Sequence, residues 1–196
     1  TMQGIATGAS DIGLQRSRNE DRLLIDPALN LFVVADGMGG HVAGDVAATL
    51  AVRTATPSLR SQLDEIIDVR RGLASAATLT DMCERAVKAA NREVHRVAAE
   101  NPSLHGMGCT LTLLLIAGDV AAMAHVGDSR LYRLRDGELE QLSRDHTAAA
   151  ELARLGRLSL DKIGDHPFNH LLLRSIGECD TIAVDTQVFE LDAGDR

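Results

Sequence analysis

Aromatic residues are scarce in this sequence, with no tryptophan, one tyrosine and three phenylalanines among 196 residues. Hydrophobic residues nonetheless make up 45% of the chain, so a buried core must be built from Leu, Val, Ile and Ala. No apolar run approaches the roughly 20 residues that a membrane-spanning helix needs. The longest such run, 111–117, has the length of a strand. The first residues lack the basic and apolar regions of a secretory signal. We therefore expect a globular domain without membrane insertion.

Basic residues and cysteines are also few. The chain has 20 Lys and Arg against 28 Asp and Glu, a net charge of -8. This balance argues against nucleic acid as a partner, because nucleic-acid binders normally present a basic face. Three scattered cysteines, Cys83, Cys109 and Cys179, are odd in number. They suit a reducing compartment better than a disulfide framework or a zinc site. We expect three small buried residues and a cytoplasmic protein.

Several common catalytic motifs are missing. The chain has no Gly-Lys-Ser/Thr of a P-loop and no Gly-x-Ser-x-Gly of a serine hydrolase. The glycine-rich stretch 37–42 lacks the third glycine of a dinucleotide fingerprint. His166 and His170 are four residues apart, but Pro167 lies between them and no glutamate follows the first, which excludes a zinc-protease helix.

Short β segments and a few helices follow one another in an order that predicts antiparallel sheets. Gly118-Asp119 and Asp136-Gly137 are hairpin signals, whereas parallel strands would need helical crossovers. Thr80 is a candidate N-cap, and Asn101-Pro102 ends its helix. The predicted strands are 22–26, 31–35, 109–117, 120–126, 130–135, 138–142, 171–175 and 182–191. The predicted helices are 42–52, 80–100 and 148–155, with a further helix of undefined limits and loops within 55–78. The predicted fold class is α+β, a four-layer α-β-β-α sandwich of two antiparallel sheets flanked by helix pairs.

Two predicted strands each deliver an aspartate into a tight turn. Asp36 ends an apolar strand and precedes glycine, and Asp128 follows another apolar strand within 127–130 (Gly-Asp-Ser-Arg). Carboxylate and carbonyl oxygens are the ligands that Mg²⁺ and Mn²⁺ prefer. The acidic stretch 19–21 (Asn-Glu-Asp) precedes the first strand, and Arg16 offers a planar fork that matches phosphate oxygens. Each pattern alone also fits an ordinary turn, a solvated loop or a surface arginine.

Taken together, these motifs resemble those of the bacterial metal-dependent protein phosphatases, the PPM or type 2C family. The resemblance is carried by 16–21 (Arg-Ser-Arg-Asn-Glu-Asp), 36–41 (Asp-Gly-Met-Gly-Gly-His) and 127–130, in the family's order and spacing. Further matches lie at 145–147 (Asp-His-Thr) and 173–177 (Leu-Arg-Ser-Ile-Gly). The resemblance covers essentially the whole chain.

The resemblance implies hydrolysis of phosphoserine and phosphothreonine on proteins by metal-activated water, in opposition to a Ser/Thr protein kinase. Two Mn²⁺ or Mg²⁺ ions are expected, with a third, weaker ion in bacterial members. The implied metal ligands are Asp36, Gly37, Asp128 and Asp21, with Glu20 orienting them from behind. Arg16 would bind the substrate phosphate. Asp36 and His41 are the implied catalytic residues, His41 as general acid, although His41 is also compatible with a helix start that does no chemistry.

The family pattern continues beyond residue 196 with a strand, a helix and two further aspartate ligands. We therefore expect residues 1–196 to be a single PPM-type phosphatase catalytic domain lacking its C-terminal strands and helix, with 145–170 as a flap subregion. The chain is interpreted as part of a longer protein, in preference to a truncation without activity. The alternative function is a non-catalytic phosphoprotein-binding module of the same fold, and a third is a phosphatase acting on an anti-sigma-factor antagonist. A monomer is the default expectation.

Overall fold

The computed structural model describes residues 5–14, 16–38 and 43–196. Its strands are β1 (Arg22–Asp26), β2 (Leu31–Ala35), β3 (Gly37–Met38), β4 (Gly108–Cys109), β5 (Leu111–Ala117), β6 (Val120–Val126), β7 (Tyr132–Arg135), β8 (Glu138–Gln141) and β9 (Asp185–Glu190). Its helices are α1 (Ala43–Arg60), α2 (Leu63–Arg70), α3 (Ala77–Glu100) and α4 (Ala148–Arg154), with 3-10 turns at Pro102–Leu104 and Leu160–Lys162. None of the helices in these ranges is long and apolar enough to cross a bilayer.

Five strands form one antiparallel sheet in the order β1-β2-β5-β6-β9. Strands β3 and β4 pair as a short ribbon, and β7 and β8 form a second one. The hairpin turns occur where the sequence predicts them, since Gly118, Asp136 and Gly137 all have positive φ. An aspartate followed by glycine, both with φ near +50 to +85°, suits the tight turn between β7 and β8.

Helices α1 and α3 pack against each other and cover one face of the large sheet. Period-2 burial on the strands sets this face: Leu31, Val33 and Ala35 of β2 are buried, whereas Val34 is exposed. The helices contribute many alanines to the core, and Ala47, Ala48, Ala51, Ala55, Ala86 and Ala90 are all fully buried. Such small side chains allow helices to approach closely, so this core is built from aliphatic residues with almost no aromatic ones.

The α+β class with antiparallel sheets is confirmed, and β1, β2 and β6 have the predicted bounds. Helix α1 runs well past the predicted 42–52, through Pro57, because Ala55 and Leu59 on either side of the proline are buried against the core. Burial here outweighs the helix-breaking tendency of proline.

Three predictions were wrong. Thr80 is not an N-cap: α3 begins at Ala77, and the Thr80 hydroxyl donates to the Ala77 carbonyl inside the first turn. Residues 171–175 form no strand, because Leu172 makes only an isolated bridge with Thr147. Cys83 and Cys109 are buried as expected, but Cys179 is exposed; all three thiols are free.

The five-stranded sheet contains a buried histidine. His125 on β6 is fully buried, with Nδ1 2.8 Å from the Thr112 hydroxyl and Nε2 2.9 Å from the Arg144 carbonyl oxygen. A carbonyl can only accept, so Nε2 carries the proton of the neutral ring. The Thr112 hydroxyl also lies 2.9 Å from the Ser129 carbonyl oxygen, to which it donates. Burial, followed by the proximity of His146, lowers the pKa of His125 to about 4. The ring is therefore neutral at neutral pH.

This burial predicts acid sensitivity. Between the ordinary pKa of 6.5 and about 4, the unfolded chain binds a proton at His125 that the folded chain does not. The free energy of unfolding should fall across that window by on the order of 3 kcal/mol, as the pKa difference implies. His146, whose pKa is also lowered by burial, acts in the same direction. Urea unfolding between pH 7.5 and 4.5 measures the effect.

The variant His125→Gln serves as the comparison, because glutamine can still donate to Arg144 but does not titrate. It should be less stable than the wild-type chain at pH 7.5, and this deficit should shrink as the pH falls. Parallel pH profiles for the two proteins would contradict a neutral, buried His125.

Candidate active site

The first acidic turn follows β2 directly. Asp36 is solvent-accessible, and the adjacent Gly37 is buried. A Cβ at residue 37 would lie 2.2 Å from the Gly44 carbonyl oxygen and 2.8 Å from the Glu20 carbonyl oxygen. Only glycine fits there, because three backbone segments meet at van der Waals distance. The glycine therefore brings the start of α1 and the residue 20 segment next to Asp36.

The second acidic turn follows β6. Gly127 has φ of 109°, and a Cβ at that position would lie 2.5 Å from Thr110 Cγ2. This backbone conformation and the lack of room both require glycine. Asp128 comes next and is half-buried. The close approach of Thr110 thus fixes where the chain turns after β6 and where Asp128 is placed.

Thr110, just before β5, connects the two turns. Its hydroxyl accepts from the Asp36 N–H at 2.9 Å, and its own N–H donates to the Asp36 carbonyl at 2.8 Å. The same hydroxyl lies 2.6 Å from Ser129 Oγ. Thr110 is buried, so these hydrogen bonds have little competition from water. One threonine thereby ties the backbone at Asp36 to the residue after Asp128.

The segment before β1 supplies the remaining predicted residues. Glu20 is half-buried, and its carboxylate lies 3.9 Å from the guanidinium of the exposed Arg16. Asp21 is exposed, with its N–H bound to the Asn19 side chain at 2.9 Å. The Asn19 contact shapes a local turn of the kind that asparagine side chains commonly form. This turn places the acidic pair near the end of β2.

An open cavity of about 950 Å³ brings most of these groups together. Its lining includes Arg16, Glu20, Asp36, Gly37 and Asp128. Asp21 lies in an adjoining cavity of about 220 Å³ that shares Arg16, Glu20 and Asp36. Residues far apart in sequence therefore converge as the motifs predict.

The carboxylates in this cavity affect one another's protonation. Partial burial, then repulsion from Asp21 and Asp128, raises the pKa of Asp36 to about 6, and Arg16 only partly offsets this. Burial and the charge of Asp145 raise the pKa of Asp128. Like charges held close together disfavour ionisation unless a cation balances them. The cavity is therefore electrostatically suited to positive charge.

Across residues 5–14, 16–38 and 43–196, no three His, Cys, Asp or Glu side chains converge tightly enough to hold one ion by themselves. The chemistry of the donor set still fits a hard divalent cation, which commonly binds through one or two carboxylates while keeping several waters. Asp36, Asp128 and the Gly37 carbonyl are oxygen donors of that kind. His41, the predicted general acid, lies outside the described residues.

Sequence reasoning missed several residues of the cavity wall. No motif in the sequence marks His95 or His105 as site residues, but both line the cavity, as do His170, Ser175 and Glu178. The loop that carries the last two is anchored to α3: Asn91 Oδ1 accepts from the Gly177 N–H at 2.8 Å, and His95 Nδ1 contacts the Gly177 carbonyl at 3.1 Å. No local pattern indicates these roles, because they arise from contacts 82 to 86 residues apart.

Comparison with known proteins agrees with this geometry. A family model described as "Protein phosphatase 2C" matches residues 8–163. The serine/threonine protein phosphatase PstP of Mycobacterium tuberculosis is 37% identical over 167 residues, which cover 85% of this chain and 30% of that protein. The chain thus spans less than a third of the length of this relative.

Solved structures extend the likeness to the fold. The crystal structure of Mycobacterium tuberculosis PstP/Ppp matches with a TM-score of 0.80 at 35% identity, covering 95% of this chain and 73% of that one. A catalytic-domain structure of PstP, described as being in complex with two manganese ions, matches with a TM-score of 0.76 at 34% identity over 95% and 72% of the two chains. These matches support the predicted α-β-β-α sandwich. The chain belongs to the protein phosphatase 2C family.

Proposed function

We propose that this protein hydrolyses phosphoserine and phosphothreonine on other proteins with the help of divalent metal ions. The observation that carries the proposal is the convergence of Arg16, Asp36 and Asp128 on one open cavity, in a chain of the protein phosphatase 2C family. Anionic oxygens for metals and one cation for phosphate are the groups that phosphate hydrolysis needs. The relatives in this family that match are named serine/threonine phosphatases.

The proposed ligands are Asp36, the Gly37 carbonyl, Asp128 and Asp21, with Glu20 orienting them. We propose two ions, Mn²⁺ or Mg²⁺, and a weaker third near Asp128. The two manganese ions named for the PstP structure support a dinuclear centre. When bound, such ions lower the pKa of water and neutralise charge on the phosphoryl group. Asp36 contributes by staying ionised once a cation offsets the repulsion that raises its pKa to about 6.

Arg16 is proposed to bind the substrate phosphate. Its guanidinium is exposed at the mouth of the cavity and lies 3.9 Å from Glu20, which restrains the side chain without occupying it fully. A planar guanidinium can donate two parallel hydrogen bonds to phosphate oxygens, which lysine cannot do. His41 is proposed as the general acid that protonates the serine or threonine oxygen as it leaves.

Further proposals concern the biological setting. The substrates would be phosphoproteins, with a Ser/Thr kinase supplying the phosphate groups that this enzyme removes. The unpaired thiols are in keeping with a reducing cytoplasm. We propose a monomer, a single PPM-type domain over 1–196, and a flap at 145–170. The flap proposal draws support from Leu171 and Leu172, which follow this segment and line the cavity.

Replacing Asp36 should remove metal binding and turnover together. In Asp36→Asn the side chain keeps its shape but loses the negative charge, so we expect at least a roughly 100-fold loss of phosphopeptide turnover and a matching loss of Mn²⁺ affinity. Mn²⁺ titration calorimetry and phosphate release from a phosphothreonine peptide measure the two effects. Asp64→Asn, an exposed aspartate in the first turn of α2, is the matched control. Full activity of Asp36→Asn would refute a metal centre at this residue.

Replacing Arg16 should mainly weaken substrate binding. Arg16→Ala is expected to raise KM about 10-fold or more with a smaller change in kcat, since the lost contacts are made to the phosphate before reaction. Arg16→Lys should recover only part of the loss, because lysine lacks the planar fork. Steady-state kinetics over a range of phosphopeptide concentrations separates the parameters, with the exposed Arg92→Ala on α3 as control. An unchanged KM in Arg16→Ala would assign phosphate binding elsewhere.

Assays with the same phosphothreonine peptide distinguish catalysis from the alternative function, a phosphoprotein-binding module. Turnover that requires Mn²⁺ or Mg²⁺ and stops with EDTA supports catalysis. Tight binding of the phosphopeptide, without release of phosphate under any metal condition, would favour the binding module instead.

A further inference from the structure

The residue that follows Asp145 holds the turn that carries Asp128. His146 has a side chain that is only 1% exposed. Its Nδ1 accepts a hydrogen bond from the Gly127 N–H at 3.1 Å, and its own backbone N–H donates to the Gly127 carbonyl at 2.8 Å. Both backbone polar groups of Gly127 are therefore bound by one residue. Gly127 immediately precedes Asp128, so the imidazole acts one residue away from a proposed metal ligand.

The other end of the same turn is held by the neighbour of His146. Asp145 forms a salt bridge with Arg130, with Oδ2 2.6 Å from Nη2 and Oδ1 3.0 Å from Nε. Consecutive residues 145 and 146 thus bind the first and last residues of 127–130. These contacts and the Thr110 contact to Ser129 hold the residues on both sides of Asp128.

The protonation of His146 follows from its partners. An N–H donates into Nδ1, so Nδ1 carries no proton. Burial lowers the pKa of His146, which leaves a neutral ring with its proton on Nε2. Nε2 lies 3.1 Å from Asp185 Oδ2, close enough for attraction, but it makes no hydrogen bond of good geometry. Asp185 is itself engaged by Arg174 at 2.7 Å. The directional contact of the ring is therefore the one to Gly127.

We propose that His146 is a positioning residue for Asp128, acting through the hydrogen bond between its Nδ1 and the Gly127 N–H. The inference rests on the proposed function, because it assumes that Asp128 binds a metal ion. It assigns a role in the reaction to the 145–147 segment that is separate from any contact of that segment with substrate. Groups that orient metal ligands from behind commonly change affinity or activity about 10- to 100-fold when altered.

Two variants of His146 test the roles of the two ring nitrogens separately. Asparagine at 146 places an acceptor oxygen near the position of Nδ1 and can still bind the Gly127 N–H. Glutamine at 146 extends to the position of Nε2, keeps a donor toward Asp185, and removes the acceptor. The proposal predicts that His146→Gln loses function and that His146→Asn retains it, even where both lose some stability. Thr56→Val, which deletes a buried hydroxyl of α1 outside the cavity lining, controls for stability loss alone.

The experiment uses three measurements on the full chain. Hydrogen exchange by NMR reports protection of the Gly127 amide without metal or substrate. Electron paramagnetic resonance of free Mn²⁺ gives the metal affinity, and phosphothreonine-peptide kinetics gives kcat and KM. In His146→Gln we expect faster exchange at Gly127, Mn²⁺ affinity about 10-fold weaker, and kcat lowered about 10- to 100-fold at fixed Mn²⁺ with little change in KM. His146→Asn should stay within about 3-fold of the wild-type chain in each measurement. This change is smaller than the roughly 10- to 100-fold effect expected when a group that orients a metal ligand is lost.

Each contrary outcome has a distinct meaning. Unchanged Gly127 exchange in His146→Gln would overturn the contact itself. Faster exchange with unchanged Mn²⁺ affinity and kcat would overturn the positioning role while leaving the phosphatase proposal intact. A wild-type chain that binds Mn²⁺ but releases no phosphate would refute the proposed function, whereas a loss of Mn²⁺ affinity confined to His146→Gln would still support the positioning role. Equal losses of Mn²⁺ affinity and kcat in His146→Gln and His146→Asn would show that His146 only stabilises the fold and does not position Asp128.

Discussion

Repulsion between carboxylates is the constraint on which this site depends. Asp36, Asp21 and Asp128 face shared space closely enough that, together with partial burial, they raise the pKa of Asp36 to about 6. Groups that repel one another stay together only if the backbone beneath them is held firmly. Here that backbone is the end of buried strands β2 and β6, at glycines that allow the chains to touch. The free energy of the packed sheet and helices is what keeps the carboxylates in place.

Hydrogen bonds from a few buried polar residues hold the turns around the candidate site in one geometry. Thr110 binds the Asp36 backbone and Ser129, Asn91 binds the loop at Gly177, and His146 binds Gly127. Each of these three residues is buried. In such surroundings an unmade hydrogen bond is expensive, so alternative arrangements of the turns are disfavoured. These contacts fix the geometry of the candidate site, and the proposed function needs such a preorganised arrangement, because electrostatic catalysis works best without reorganisation during reaction.

The cavity lining combines these acidic residues with basic, histidine and apolar side chains. Arg16 stands at its mouth, while His95, His105 and Glu178 line the wall beside Ala98, Ala99 and Leu171. Under the proposed function, a cavity of about 950 Å³ leaves room for residues of a substrate beside the phosphorylated one.

Much of the site could be predicted from sequence because its motifs are local. A strand, an aspartate and a glycine mark Asp36 and Asp128 as candidates, and the resemblance to the phosphatase family assigns them to one site. The glycines are required by the backbone itself. The sequence alone also determined β1, β2 and β6, whose apolar runs and turn residues lie side by side. Only the tertiary structure decided that α1 continues through Pro57, that 171–175 forms no strand, and that Thr110 and His146 support the aspartates. Those outcomes depend on burial and hydrogen bonds between residues far apart in the chain, and such partners leave no periodic or local trace in the sequence.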